Sequence, residues 1–169
     1  MKIKFATPKN CIIYSLIILV GIGIDQLTKF LSVKFLSPLD TFPIIKDVIH
    51  LTYVENKGAA FGMLANHRWV FIVISTVTII ALAAFLYLGK ASNMLYGVAI
   101  SMIISGGIGN MIDRLALGYV IDFIDFTLID FAVFNGADSF VCVGAGLMVL
   151  AMLLDIAKES RVKREGGKR

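Results

Sequence analysis

The sequence predicts an all-α membrane protein of four transmembrane helices, carrying a small extracytoplasmic β-ribbon and an interfacial segment. Three observations carry that prediction. Of the 169 residues 58% are hydrophobic, with a mean hydropathy of +0.86, whereas about half the residues of a soluble domain are apolar. Two charge-free runs, Trp69–Leu88 and Leu95–Ile112, each approach the ~20 residues that a spanning helix needs. The basic residues behind the net charge of +4 flank apolar runs instead of forming an aromatic-interleaved patch, so they read as membrane topology, and no nucleic-acid partner is expected. The length fits one membrane domain, 1–169.

The first span is expected over about 11–35. Cys11 to Ile24 is apolar, and the following DQLTKFLSVKFL keeps Leu27, Phe30, Leu31 and Leu36 at helical spacing. Lys2, Lys4 and Lys9 before this run resemble the start of a signal peptide, but no A-x-A-like cleavage site follows, so an uncleaved helix is expected. The next spans are expected at 69–88 and 95–112. In the latter, Gly97, Ser101, Ser105 and Gly109 recur every four residues, a small-residue stripe along which another helix can approach closely. Gly106 and Gly107 widen it, and Gly144 and Gly146 are read the same way on the fourth span, at 139–156. The basic tail 157–169 reads as a solvated segment near anionic lipid.

Orientation follows from Lys and Arg in the short loops. The N-terminus holds three, the Gly89–Met94 loop one and the tail six, so both termini are expected on the cytoplasmic side. Segments 37–68 and 113–138 then lie outside. The first alternates as a strand does at Ile49, Leu51 and Tyr53, which predicts the ribbon. In the second, VIDFIDF and FAVFNG are too apolar for a free loop and are expected to dip into the interface. Cys11 and Cys142 fall near opposite membrane faces, too far apart to pair.

The polar chemistry gathers in these outer segments. Asp113, Asp122, Asp125, Asp130 and Asp138 crowd the second, an expensive choice beside hydrocarbon unless they pair or face water. Asp122 is hemmed in by Val120, Ile121, Phe123 and Ile124, which favours its protonated form. Asp138 opens the fourth apolar run, where a helix N-cap is the plain explanation. Two close carboxylates that share a proton are the rival one, since they suit peptide hydrolysis. Asp25 and Lys29, four residues apart, read as an ion pair that makes each charge tolerable. Asn56 in ENKGAAFG is either a turn former or an amide for an extended backbone. Asn110 and Arg114 can present an amide and a guanidinium to a substrate, although pairing of Arg114 with Asp113 or lipid phosphate is the plainer reading. No H-E-x-x-H occurs and His50 and His67 are isolated, so no metal is expected. A Ser139–Lys29 nucleophile lacks an evident activating base. A small transporter or channel subunit using the outer aspartates is the main alternative, yet apart from Asp155 the acids do not continue through the bilayer. An inert membrane scaffold is a third reading.

DQLTK in the first helix, ENKGAAFG after the ribbon, GGIGNMIDR closing the third helix, VIDFIDF, and FNGADS opening the fourth resemble bacterial lipoprotein signal peptidase, signal peptidase II. The resemblance runs in order from Asp25 to about Ser139. It implies an aspartic endopeptidase that removes the signal peptides of prolipoproteins on the amino side of a diacylglyceryl-modified cysteine. It places the catalytic aspartates at Asp122 and Asp138. Asp25, Lys29, Asn56, Gly58, Asn110, Arg114 and Asn135 then shape the site or hold substrate. It implies no cofactor, lipidated prolipoprotein and membrane lipid as partners, and a site on the outer face of the bacterial cell membrane; a monomer is expected. Cys11 follows Lys9-Asn10 and not a small-residue lipobox, so the chain reads as the processing enzyme and not a substrate.

Overall fold

The computed structural model describes residues 6–58, 67–91 and 93–166. Lys2 and Lys4, the AAFG of the second motif and the last three residues of the tail lie outside them. Among the described residues four helices are long and apolar enough to cross a membrane: α1 (Pro8–Leu31), α2 (Arg68–Tyr87), α3 (Met94–Ala116) and α4 (Gly136–Gly166).

Each helix starts where local chemistry allows it. Thr7 caps α1, its hydroxyl accepting the Asn10 N–H at 3.3 Å, with Pro8 next, a position where the missing proline N–H costs nothing. Asn93 caps α3 through the Leu95 and Tyr96 N–H groups. After Leu31 the first helix widens into a single π-helical turn, Ser32–Leu36. The fourth helix outruns its expected end and continues into the basic tail as far as Gly166, with Glu159 and Lys163 pairing at 2.9 Å one turn apart.

α3 is the centre of the bundle and packs on the other three helices. Its Ala99, Ile100 and Ile104 are at most 2% exposed, whereas Val77 and Ile80 of α2 are more than 60% exposed, as expected where lipid is the solvent. The small-residue stripe is what lets α1 and α4 come close. A methyl group on Gly97 would strike the Tyr14 ring, and one on Gly109 would strike the Asp25 carboxylate.

At one end of the bundle lies an antiparallel sheet in the order β1 (Thr41–Ile45), β2 (Ile49–Asn56), β3 (Val120–Asp125). Pro43 sits in the edge strand, where its missing donor is harmless. The ribbon therefore exists, but VIDFID is its third strand, paired as Val54↔Asp122 and Asn56↔Val120. Apolar residues that read as an interfacial dip are buried between sheet and helices: Val120 is 2% and Ile121 5% exposed. Cys11 and Cys142 are unpaired.

Candidate active site

A cavity of about 530 Å³ opens at the sheet end, and Asp122 and Asp138 both line it, together with Asn56, Asn110, Arg114 and Ser139. β3 delivers Asp122 and the first turn of α4 delivers Asp138. All four carboxylate oxygens are engaged. Asp122 Oδ1 accepts from Asn135 Nδ2 at 2.6 Å and Oδ2 from Asn56 Nδ2 at 2.9 Å. Asp138 Oδ1 accepts from Asn110 Nδ2 at 2.7 Å, and Oδ2 from the Asn135 N–H at 3.2 Å. Asp122 is 1% exposed. Burial pushes its carboxyl up to about 6, with the charge of Asp138 adding to the rise and the Asn56 and Asn135 amides opposing it,.

Asp138 is not the cap of α4. Asn135 is, its side-chain oxygen accepting the Asp138 N–H at 3.0 Å while Asp138 returns the bond, a reciprocal capping box. One oxygen of Asp138 thus serves the helix, and the other turns to Asn110.

Behind the pair lies a buried charge cluster. Lys29 Nζ contacts Asp25 Oδ2, Asp113 Oδ2 and Asn110 Oδ1, each at 2.9 Å, so all three of its hydrogens are used. Asp25 Oδ1 accepts the Ala137 N–H at 2.8 Å, anchoring the start of α4, and Asp113 Oδ2 accepts the Ile121 N–H at 3.1 Å, anchoring β3 one residue before Asp122. Two carboxylates and one ammonium leave a net negative charge that further N–H groups must offset. Gln26 contributes, donating to Asp25 Oδ2 at 3.1 Å and to Asp113 Oδ1 at 3.0 Å.

Asp113 pairs with Lys29, and Arg114 turns instead to the Gly58 carbonyl at 3.0 Å and the Asn110 carbonyl at 3.4 Å. Its guanidinium stacks 4.8 Å from the Phe71 ring centroid. Asn56 accepts the Gly58 N–H at 2.9 Å with its side-chain oxygen, so its carbonyl makes the turn while its amide holds Asp122. Ser139 Oγ donates to the Asn135 carbonyl at 3.0 Å. The nine residues that the resemblance assigns to the site converge on this end. Asp125 and Asp130 do not join the carboxylate pair: Asp125 accepts from Thr52 at 2.8 Å, and Asp130 ends a short 3₁₀ turn with φ of 48°. Gln26 and the anchoring role of Asp113 escaped sequence reasoning, because both depend on contacts more than 80 residues away or on a backbone N–H across a turn.

A four-span bundle with a carboxylate pair in a cavity at one end fits a membrane-embedded peptidase of the aspartic class. Comparison with known proteins narrows it. The family model described as signal peptidase (SPase) II matches residues 17–154. The chain is 51% identical over 130 residues to the lipoprotein signal peptidase of Caldanaerobacter subterraneus subsp. tengcongensis, covering 77% of this chain and 88% of that one. It is 45% identical over 143 residues to that of Brevibacillus brevis, covering 84% and 95%. Its fold matches that of a bacterial membrane enzyme solved by the in meso method at 2.3 Å resolution, with a TM-score of 0.79 and 32% identity over 94% of this chain and 96% of the other. The chain belongs to the signal peptidase II family.

Proposed function

We propose that Asp122 and Asp138 are the catalytic pair of a peptidase that cleaves prolipoproteins on the amino side of a diacylglyceryl-modified cysteine. The observation that carries this reading is that two carboxyls from unrelated elements share one cavity and one asparagine, Asn135. With one proton between them, the ionised member takes a proton from water, and the resulting hydroxide attacks the scissile carbonyl. The protonated member polarises that carbonyl and then passes its proton to the leaving amine. Asn56, Asn110 and Asn135 hold the carboxyls in place, Lys29 holds Asn110, Asp25 holds the start of α4, and Arg114 stands in the wall where the substrate backbone lies.

The same arrangement disfavours a Ser139–Lys29 nucleophile. Lys29 is 2% exposed and has three acceptors, so it has no lone pair with which to activate the hydroxyl. For orientation, the Lys and Arg distribution supports cytoplasmic termini and an extracytoplasmic cavity, a reading strengthened because Lys29 is buried among carboxylates and Arg114 lines the cavity, so neither counts as a loop charge,. The partners are lipidated precursor and bilayer lipid, and the working unit is a monomer.

The test offers purified protein two precursors that differ only in the diacylglyceryl group on the cysteine. The reading predicts a product beginning at the lipidated cysteine and an intact unmodified precursor, both read by mass. Equal cleavage of both would overturn the substrate assignment.

A further inference from the structure

A second cavity, of about 400 Å³, lies across β3 from the carboxylate pair. Successive residues of a strand point to opposite faces: Asp122 lines the first cavity and Phe123 the second. The walls of the second come from the end of α1 and the π turn (Leu31, Phe35), from Leu39 in the turn that follows, and from the sheet (Phe42, Leu51). One polar group faces it without a partner. Ser32 is 6% exposed, and its hydroxyl finds no hydrogen-bond partner among the described residues, a costly state for a buried donor. Beside the wall residue Phe35 lies the exposed Lys34 ammonium, 5.2 Å from the ring centroid.

The groove thus offers apolar walls, a buried hydroxyl without a partner and a cation beside one wall residue. A glycerophospholipid presents a complement to each: acyl chain, ester carbonyl and phosphate. Next to its lining residues Thr28 and Leu31, Leu27 and Phe30 of α1 are 57% and 61% exposed, a surface suited to lipid. We propose that this groove holds one acyl chain of a bilayer glycerophospholipid, with its ester carbonyl on Ser32 and its phosphate at Lys34. The occupant is a bilayer lipid and not the diacylglyceryl group of the substrate, because β3 stands between the groove and the carboxyls that the scissile bond must reach. A lipid so placed braces β3 against α1 and ties the depth of Asp122 to the bilayer. The choice of a bilayer lipid over the substrate's own acyl chains rests on the peptidase reading, while occupation of the groove by a lipid does not.

The test reconstitutes the protein in phosphatidylglycerol vesicles doped with phosphatidylglycerol carrying a diazirine in mid-chain, and maps the photo-adducts by mass. Adducts are expected to concentrate on residues 31–42 over the equally exposed face of α2 around Val77. Ser32→Ala is expected to lower that excess about fivefold, the worth of one neutral hydrogen bond, and Leu39→Trp, at an exposed rim position, to abolish it by filling the groove. The wild-type comparison needs no variant to fold. Labelling of 31–42 no greater than that of α2 overturns the proposal. So does an excess indifferent to both substitutions, or a groove labelled by a diazirine-bearing diacylglyceryl lipopeptide and not by the phospholipid.

Discussion

Asn135 donates to the side-chain oxygen of Asn110 at 3.0 Å, and the side-chain amide of each of these two asparagines holds one of the cavity's aspartates. Lysine can only donate, so the ammonium of Lys29 against Asn110 Oδ1 fixes which end of that amide is which,. Asn110 Nδ2 is thereby aimed at Asp138 and Oδ1 at Asn135, whose remaining hydrogen goes to Asp122. One buried charge sets the hydrogen-bond polarity of the site.

Replacing Asn135 removes a bond to Asp122, the link to Asn110 and the cap of α4 together. Asn135→Ala is expected to cost about 1 kcal/mol of stability from the cap and about 100-fold in turnover from the misplaced carboxyl. Unfolding in micelles and steady-state cleavage read the two separately, and a variant with near-normal turnover would show that Asn135 does not position Asp122.

Lys29→Met leaves Asp25 and Asp113 as uncompensated buried carboxylates, a loss of about 3–5 kcal/mol. Adding Asp25→Asn to that background is expected to recover part of it. Denaturant unfolding of the single and double variants measures both, and a single-variant loss below about 1 kcal/mol would remove the cluster from the account.

Gly109 and Gly146 offer a paired comparison. A methyl on Gly109 meets the Asp25 carboxylate, which is fixed by Lys29 and Ala137, while one on Gly146 meets nothing within 4 Å. Gly109→Ala is expected to lower cleavage more than tenfold. Gly146→Ala should leave it unchanged and gain up to about 1 kcal/mol from helix propensity.

The pH dependence follows from the same bonds. The Asn56 amide stabilises the ionised form of Asp122, whose carboxyl titrates at about 6. Removing that donor disfavours the charge, so in Asn56→Ala the limb of the rate profile near pH 6 moves upward, by about one pH unit for one bond to a carboxylate. Asp138→Asn removes a neighbouring negative charge and moves the Asp122 titration downward, as read by NMR of the carboxyl carbon. A shift of opposite sign in either variant would contradict the assigned contacts.

The spans were legible because apolar length is a local property, and the carboxylates stood out because charge beside hydrocarbon is costly. The family motifs, and not spacing, separated Asp122 and Asp138 from Asp113, Asp125 and Asp130. The third strand was not legible: VIDFID lacks strict alternation, and its partner strand lies more than 60 residues earlier. Nor was the cap of α4, since Asn135 and Asp138 are both good capping residues three positions apart, and only the geometry tells the cap from its reciprocal partner. Gln26 passed unnoticed beside Asp25 because nothing in DQLTK reveals that it reaches across to α3.

The carboxylate pair is tested most directly by the turnover of a diacylglyceryl-modified precursor by Asp122→Asn and Asp138→Asn, each inserted and folded as the wild type is. The account predicts that each loses about 10⁴-fold or more and that the double variant is no worse than either single, as for residues that act as a unit. More than a tenth of wild-type turnover in either single variant would contradict it.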